Sequence, residues 1–148
     1  MNPGRLVDTS AGFTELLRAT RTVAVLGIKP ESHADQPAHY VPAYLASVGY
    51  TVIPVPVYYP RVTEILGRPV VRTLADAAAS VGGTLDLVNL FRRSEDVPKH
   101  LDELLAVRPR AVWMQLGIRH AEVTRRLLEA GIDVVEDRCI LVERQRMG

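Results

Sequence analysis

Residues 22–28 read TVAVLGI, an apolar run that opens on one threonine and closes on a glycine and an isoleucine. It has no polar alternation, which fits a strand covered on both faces of a parallel sheet. Four further runs share this character: YTVIPV at 50–55, LDLVNLF at 85–91, RAVWMQL at 110–116 and IDVVED at 132–137. Helical patterns separate them. From Pro37 to Val48, residues Val41, Tyr44, Leu45 and Val48 recur at helical spacing. Thr73 opens TLAD, a capping-box-like start with Asp in place of the usual Glu. Ser94 opens SEDVPKHLDELLAV, with acids in the first turn to suit the helix dipole. The stretch from His120 to Ala130 stops at Gly131, a helix C-cap signal, and Asp8 or Ser10 caps a leading helix over about 9–19. The alternation of strand and helix predicts an α/β protein: a Rossmann-like, doubly wound parallel sheet of five to six strands with helices on both faces. With a short strand at Pro69–Val71 counted third, the expected order is 3-2-1-4-5.

The 148 residues make one domain, with its core at about 20–145. Hydrophobic residues are 47% and charged residues 24%, an ordinary globular mixture that argues against disorder. Net charge is +1, too small to expect general binding to long nucleic acid. The basic set is nonetheless lopsided, with 16 Arg against Lys29 and Lys99. Arg holds phosphates and carboxylates in bidentate fashion. A single cysteine, Cys139, admits no internal disulfide and no multi-cysteine metal site, and fits a reducing compartment. The four histidines share no ligand spacing. The most apolar stretch, Val48–Tyr59, is too short and too broken by Thr51, Pro54 and Pro56 to span a membrane, and the N-terminus lacks the pattern of a secretory signal. The expectation is a cytoplasmic protein, monomer or homodimer, with a small-molecule ligand.

In such sheets the ligand crevice lies beyond the carboxyl ends of the strands, at the point where the strand order reverses. The residues there are Gly27, Ile28 and Lys29 after the first strand, and Val55, Pro56 and Val57 after the second. Phe91, Arg92 and Arg93 follow the LDLVNLF strand, and Gln115, Leu116, Gly117 and Ile118 follow RAVWMQL. Apolar walls, glycines and fixed positive charge suit an extended, phosphate-bearing cofactor with an apolar portion. The helix starting near Pro37 adds an anion site. A dinucleotide fingerprint is absent: Gly27 stands alone, and no acidic residue closes the second strand to hold a ribose. A P-loop is absent too.

These stretches carry a resemblance. VAVLGIKPE, HYVPAYLASVGYTVIPV, EILGRPVVRTLAD, DLVNLFRRSEDVP, AVWMQLGIRH and GIDVVEDRCILVE cover roughly residues 20–145. In this order the chain resembles the small stand-alone coenzyme A-binding proteins, which are similar to the N-terminal CoA-binding domain of the succinyl-CoA synthetase α subunit. The FRRSE, WMQLG and DRC blocks are the most specific. The resemblance implies CoA or an acyl-CoA as cofactor. It implies that Gly27, Ile28 and Lys29 meet the pyrophosphate, with His39 and Tyr40 beside it. It implies that Val55, Pro56 and Val57 flank the adenine or ribose. Phe91, Arg92 and Arg93 would line the pantetheine path and offer charge, and Gln115, Gly117 and Ile118 would lie further along. The relatives' catalytic histidine and ATP-handling parts belong to other domains, so the expected role is a non-catalytic carrier, sensor or adaptor.

The chain departs from the family pattern in three places. Lys29 replaces a serine, the loop from Gly27 to Pro37 is longer than usual, and P-V-N-P after the second strand reads PVPV. Two other functions therefore stay open: an NAD(P)-linked enzyme or sensor on the same fold, and an interaction protein with a vestigial crevice. Trp113 and Met114 read as core, Ser94 as a helix N-cap, and Asp137–Arg138 as an ion pair or turn. Cys139 is either packed or a reactive thiol whose neighbour Arg138 would favour the thiolate.

Overall fold

The computed structural model describes residues 2–148. Five parallel strands form the sheet: β1 (Thr22–Leu26), β2 (Thr51–Val55), β5 (Leu87–Leu90), β6 (Ala111–Met114) and β7 (Asp133–Val135). Their order is β2-β1-β5-β6-β7. A separate two-strand hairpin, β3 (Glu64–Ile65) and β4 (Arg68–Pro69), follows β2. Its turn residues Leu66 and Gly67 both have positive φ, as the tight hairpin turn requires.

The expected third strand is thus not a sheet strand. The segment after β4 lies along β2 and makes one backbone bond, from Val71 N to Pro54 O at 3.0 Å. Pro54 explains why. A residue's N–H and C=O point to the same side of a strand, so the carbonyl that faces Val71 marks the side on which Pro54 has no donor. β2 is left as an edge, and Pro54 costs it no bond to β1.

Alternation along each strand builds two cores. Val23 and Val25 of β1 pack with Phe13, Leu17, Val41, Leu45 and Ile140 on one face. Ala24 and Leu26 pack with Leu74, Leu104, Val123 and Leu127 on the other. The first face is covered by α1 (Ser10–Arg18), α2 (Pro37–Ser47) and α6 (Ile140–Arg146), the second by α3 (Leu74–Ala79), α4 (Leu101–Val107) and α5 (Ala121–Glu129). Trp113 and Met114 are fully buried, as expected. No helix is long and apolar enough to cross a membrane among the described residues.

The caps test the local readings. Thr9 caps α1, accepting from Gly12 N, in place of Asp8 or Ser10. Thr73 caps α3 by accepting from Asp76 N, as read. Gly131 follows α5 with φ +84, and the amides of Gly131 and Ile132 return to Leu128 and Leu127 in the manner of a Schellman end. His120, one residue before α5, caps it through its ring. The helix expected from Ser94 divides into a 3-10 segment, Ser94–His100, and α4; Pro98, which has no amide hydrogen to donate, lies inside the first part. Ser94 is no N-cap. Its hydroxyl donates to Gly117 O and accepts from Arg119 N, tying the loop after β5 to the loop after β6.

Candidate functional site

β1 and β5 are the neighbours at which the strand order reverses, and their carboxyl ends touch. Phe91 N donates to Leu26 O and Gly27 N to Val55 O, both at 2.9 Å. Gly27 has φ +94, and a Cβ there would stand 2.2 Å from Phe91 O. Only glycine fits. The chain then leaves the sheet and opens a cleft of about 690 Å³ between α2, the loop after β5 and the loop after β6. That volume lies within the usual range for ligand sites, roughly 300–1,000 Å³.

The loop after β1 is fixed by a defect in α2. Pro42 sits inside the helix and lacks an amide hydrogen, so the Ala38 carbonyl one turn back receives nothing from it. Lys29 N donates to that carbonyl at 3.1 Å. The Lys29 carbonyl in turn accepts from His39 Nδ1 at 2.9 Å. A carbonyl only accepts, so His39 carries a proton on Nδ1. Both sides of the Lys29 peptide are held by α2, and the Lys29 ammonium donates to Gln36 Oε1. Gln36 is the N-cap residue of α2 but makes no side-chain cap bond, and Pro37 follows it. The open first turn therefore faces the cleft through Gln36, Pro37 and Ala38, where a helix favours an anion.

Arg92 and Arg93 stand in the opposite wall and are held differently. The Arg92 side chain is 12% exposed, and its Nε donates to His100 Nε2 at 3.1 Å. The Arg93 side chain is 75% exposed and pairs with Glu95 at 3.2 Å and Asp96 at 3.1 Å. Asp96 also meets Lys99 Nζ at 2.9 Å. The hydrogen bonds from Lys99 and Arg93 hold its carboxyl below the usual carboxylate range. Burial, followed by the Arg92 charge, pushes the His100 imidazole below its ordinary value.

The far end of the cleft is an amide network under an apolar rim. Gln115 Oε1 accepts from Asn89 Nδ2 and from Ile140 N, each at 3.3 Å, and its Nε2 donates to Cys139 Sγ at 3.2 Å. Asn89 is wholly buried, and its Oδ1 has no partner. Leu116, 68% exposed, stands at the rim. Gly117 N donates to Asp137 Oδ1 at 2.6 Å. Asp137 has φ +54 and pairs with Arg119 at 3.3 Å, so of the two readings of Asp137–Arg138 the ion pair does not form and the chain bends at Asp137. Arg138 lies over the Phe13 ring instead.

Of the expected site residues, Gly27, Lys29, Tyr40, Phe91, Arg92, Arg93, Gln115, Gly117 and Ile118 line this cleft. Ile28 and Val57 join a smaller neighbouring depression of about 290 Å³, which shares Gly27, Lys29, Phe91, Arg92 and Arg93 with the cleft and adds Tyr58 and Tyr59. Val55, Pro56 and His39 line neither. Val55 is sealed in the core, and His39 supports the loop from beneath. Cys139 was no more than a possible thiol in the sequence; it forms part of the cleft wall, one residue before α6. The amphipathic run ILVERQR that makes α6 was the signal for its placement.

Fold and crevice together define a Rossmann-like α/β protein with a cation-flanked cleft at the reversal of its strand order. The chain belongs to the CoA-binding domain family, which residues 21–145 match. It is 33% identical to the uncharacterized protein YneT of Bacillus subtilis (strain 168) over 134 residues, 90% of this chain and 93% of that one. The solved structure of cell-free ID.343 from Thermus thermophilus is similar at TM-score 0.82 and 39% identity, covering 95% of this chain and 100% of the other. A hypothetical protein from Pyrococcus horikoshii OT3 has the same TM-score at 26% identity and covers 100% of both chains.

Proposed function

We propose that the cleft binds coenzyme A or an acyl-CoA, and that the protein acts as a non-catalytic carrier, sensor or adaptor. The observation that carries this reading is the facing pair of anion-seeking walls, the uncapped first turn of α2 with Lys29 on one side and Arg92 with Arg93 on the other. A pyrophosphate between them meets the Ala38 amide, the one first-turn N–H not donated to Gln36 O, together with the Lys29 ammonium and the guanidinium groups. The cleft then continues past Phe91 to Ile118, Leu116 and Cys139, an apolar course for a pantetheine arm. The smaller depression, with Val57 and two tyrosines, takes the adenosine end. The family supports the same ligand. The ionisable side chains of the cleft wall are Lys29, Tyr40, Arg92, Arg93, Glu95 and Cys139, which include no histidine–nucleophile pair among the described residues.

Calorimetry with CoA, dephospho-CoA and NAD tests the reading. Wild type is expected to bind CoA, and Arg92→Ala with Arg93→Ala together is expected to weaken it by about tenfold or more, the scale of one lost charge-assisted contact. A larger loss for CoA than for dephospho-CoA places an arginine on the 3′-phosphate; equal losses place them on the pyrophosphate. Binding of NAD but not CoA overturns the reading.

A further inference from the structure

We infer that neutral His100 is a positioning residue for Arg92, and that ligand binding in the cleft weakens when His100 takes up a proton. The inference rests on the reading of the cleft as a site for a phosphate-bearing cofactor. His100 is at the end of the 3-10 segment and is not part of the cleft wall, so it acts through Arg92 and not on a ligand. Arg92 Nε is a donor only, so the bond of 3.1 Å to His100 Nε2 requires the ring nitrogen's lone pair. The ring is therefore neutral, with its proton on Nδ1.

This bond fixes the guanidinium with few alternatives. The nearest carboxylate, Asp96, is 4.0 Å from Arg92 Nη2 and already serves Lys99 and Arg93 at shorter range. Among the groups that set its charge state, burial comes first and Arg92 second, and both favour the neutral ring. Glu103 on α4 and Asp96 favour the proton, and Lys99 opposes it. Protonation turns Nε2 from acceptor to donor and sets two cations side by side. The guanidinium then loses its anchor, and the ordering that made Arg92 a prepared anion contact is lost.

The direction of this effect is diagnostic. A histidine that touched a phosphate directly would strengthen binding on acidification; a histidine that holds an arginine in place weakens it. Dephospho-CoA is the suitable probe, because CoA's terminal phosphate monoester itself titrates near pH 6. Calorimetry on wild type from pH about 8 down to about 5 is expected to show affinity falling about threefold, the fall setting in below the ordinary histidine midpoint because the folded ring resists the proton. His100→Gln offers an Oε1 acceptor at any pH and is expected to flatten the profile. Independently, nitrogen NMR of the ligand-free wild type should show Nδ1 protonated, and Arg92→Ala should raise the His100 titration midpoint. Wild-type binding that holds or tightens in acid overturns the inference alone. So does a glutamine variant that keeps the wild-type slope, or a midpoint indifferent to Arg92. Absence of dephospho-CoA and CoA binding at any pH overturns the cofactor reading as well.

Discussion

The two poles of the sheet use charge in opposite ways. At the amino ends of the strands, carboxylates are spent on the backbone. Asp86 Oδ2 accepts from Arg21 N at 2.8 Å and Thr22 N at 3.1 Å, while Asp86 N donates to Thr22 Oγ1 at 3.0 Å. Asp133 Oδ1 accepts from Arg5 N at 2.8 Å, fastening the N-terminal segment beside β7. At the carboxyl ends the excess charge is positive, and it flanks an open cleft. The amino pole uses its carboxylates to tie backbone amides around a depression of about 250 Å³; the carboxyl pole leaves its cations beside the larger cleft. Substitutions at the two poles should therefore divide, those at the amino ends acting on stability and those at the carboxyl ends on binding.

The largest effect is expected where the poles' division fails, at Gly27, which serves both packing and site. Gly27→Ala places a Cβ against Phe91 O at a positive φ. It should cost on the order of 3 kcal/mol in chemical denaturation and abolish CoA binding. A variant of wild-type stability would show that the ends of β1 and β5 yield easily. Next comes Asp86→Ala, which removes both backbone bonds at the amino pole. A loss of about 2 kcal/mol is expected by urea titration, with CoA affinity unchanged. A changed affinity would show that the two poles are coupled.

The smallest effect is a pH dependence of stability. The folded His100 pKa lies below the unfolded value of 6.5, so the folded chain prefers the neutral ring. The stabilisation is complete above that value and is lost as pH falls through it, until the folded ring protonates as well. Denaturation midpoints in acid should drop more for wild type than for His100→Gln. Equal drops would assign the loss to other groups.

The sheet and most helices were legible in the sequence because strand burial on both faces leaves continuous apolar runs. TVAVLGI and RAVWMQL needed nothing more. Positions governed by one long-range partner were not legible. Ser94 looks like a helix cap until its hydroxyl is seen between Gly117 O and Arg119 N, in a loop distant along the chain. Asp137 looks like a partner for the adjacent Arg138, yet its left-handed backbone turns it to Gly117 N and Arg119. The cleft's cations are legible by counting from strand ends. Their unequal fixation is not, because the partner that orders Arg92 is a histidine eight residues on, brought back by the 3-10 segment that contains Pro98.

Pro42 has a consequence for anyone who would engineer this chain. A proline inside a helix is an obvious target for improving thermal tolerance, since its removal restores a missing rung. Here the vacant rung is already let to a tenant: the Ala38 carbonyl receives the Lys29 amide. A residue with an amide hydrogen at position 42 would compete for that oxygen, and a more regular α2 would be obtained by loosening the loop that borders the cleft. Helix perfection and loop placement are rival claims on one atom, and the natural sequence settles them for the loop.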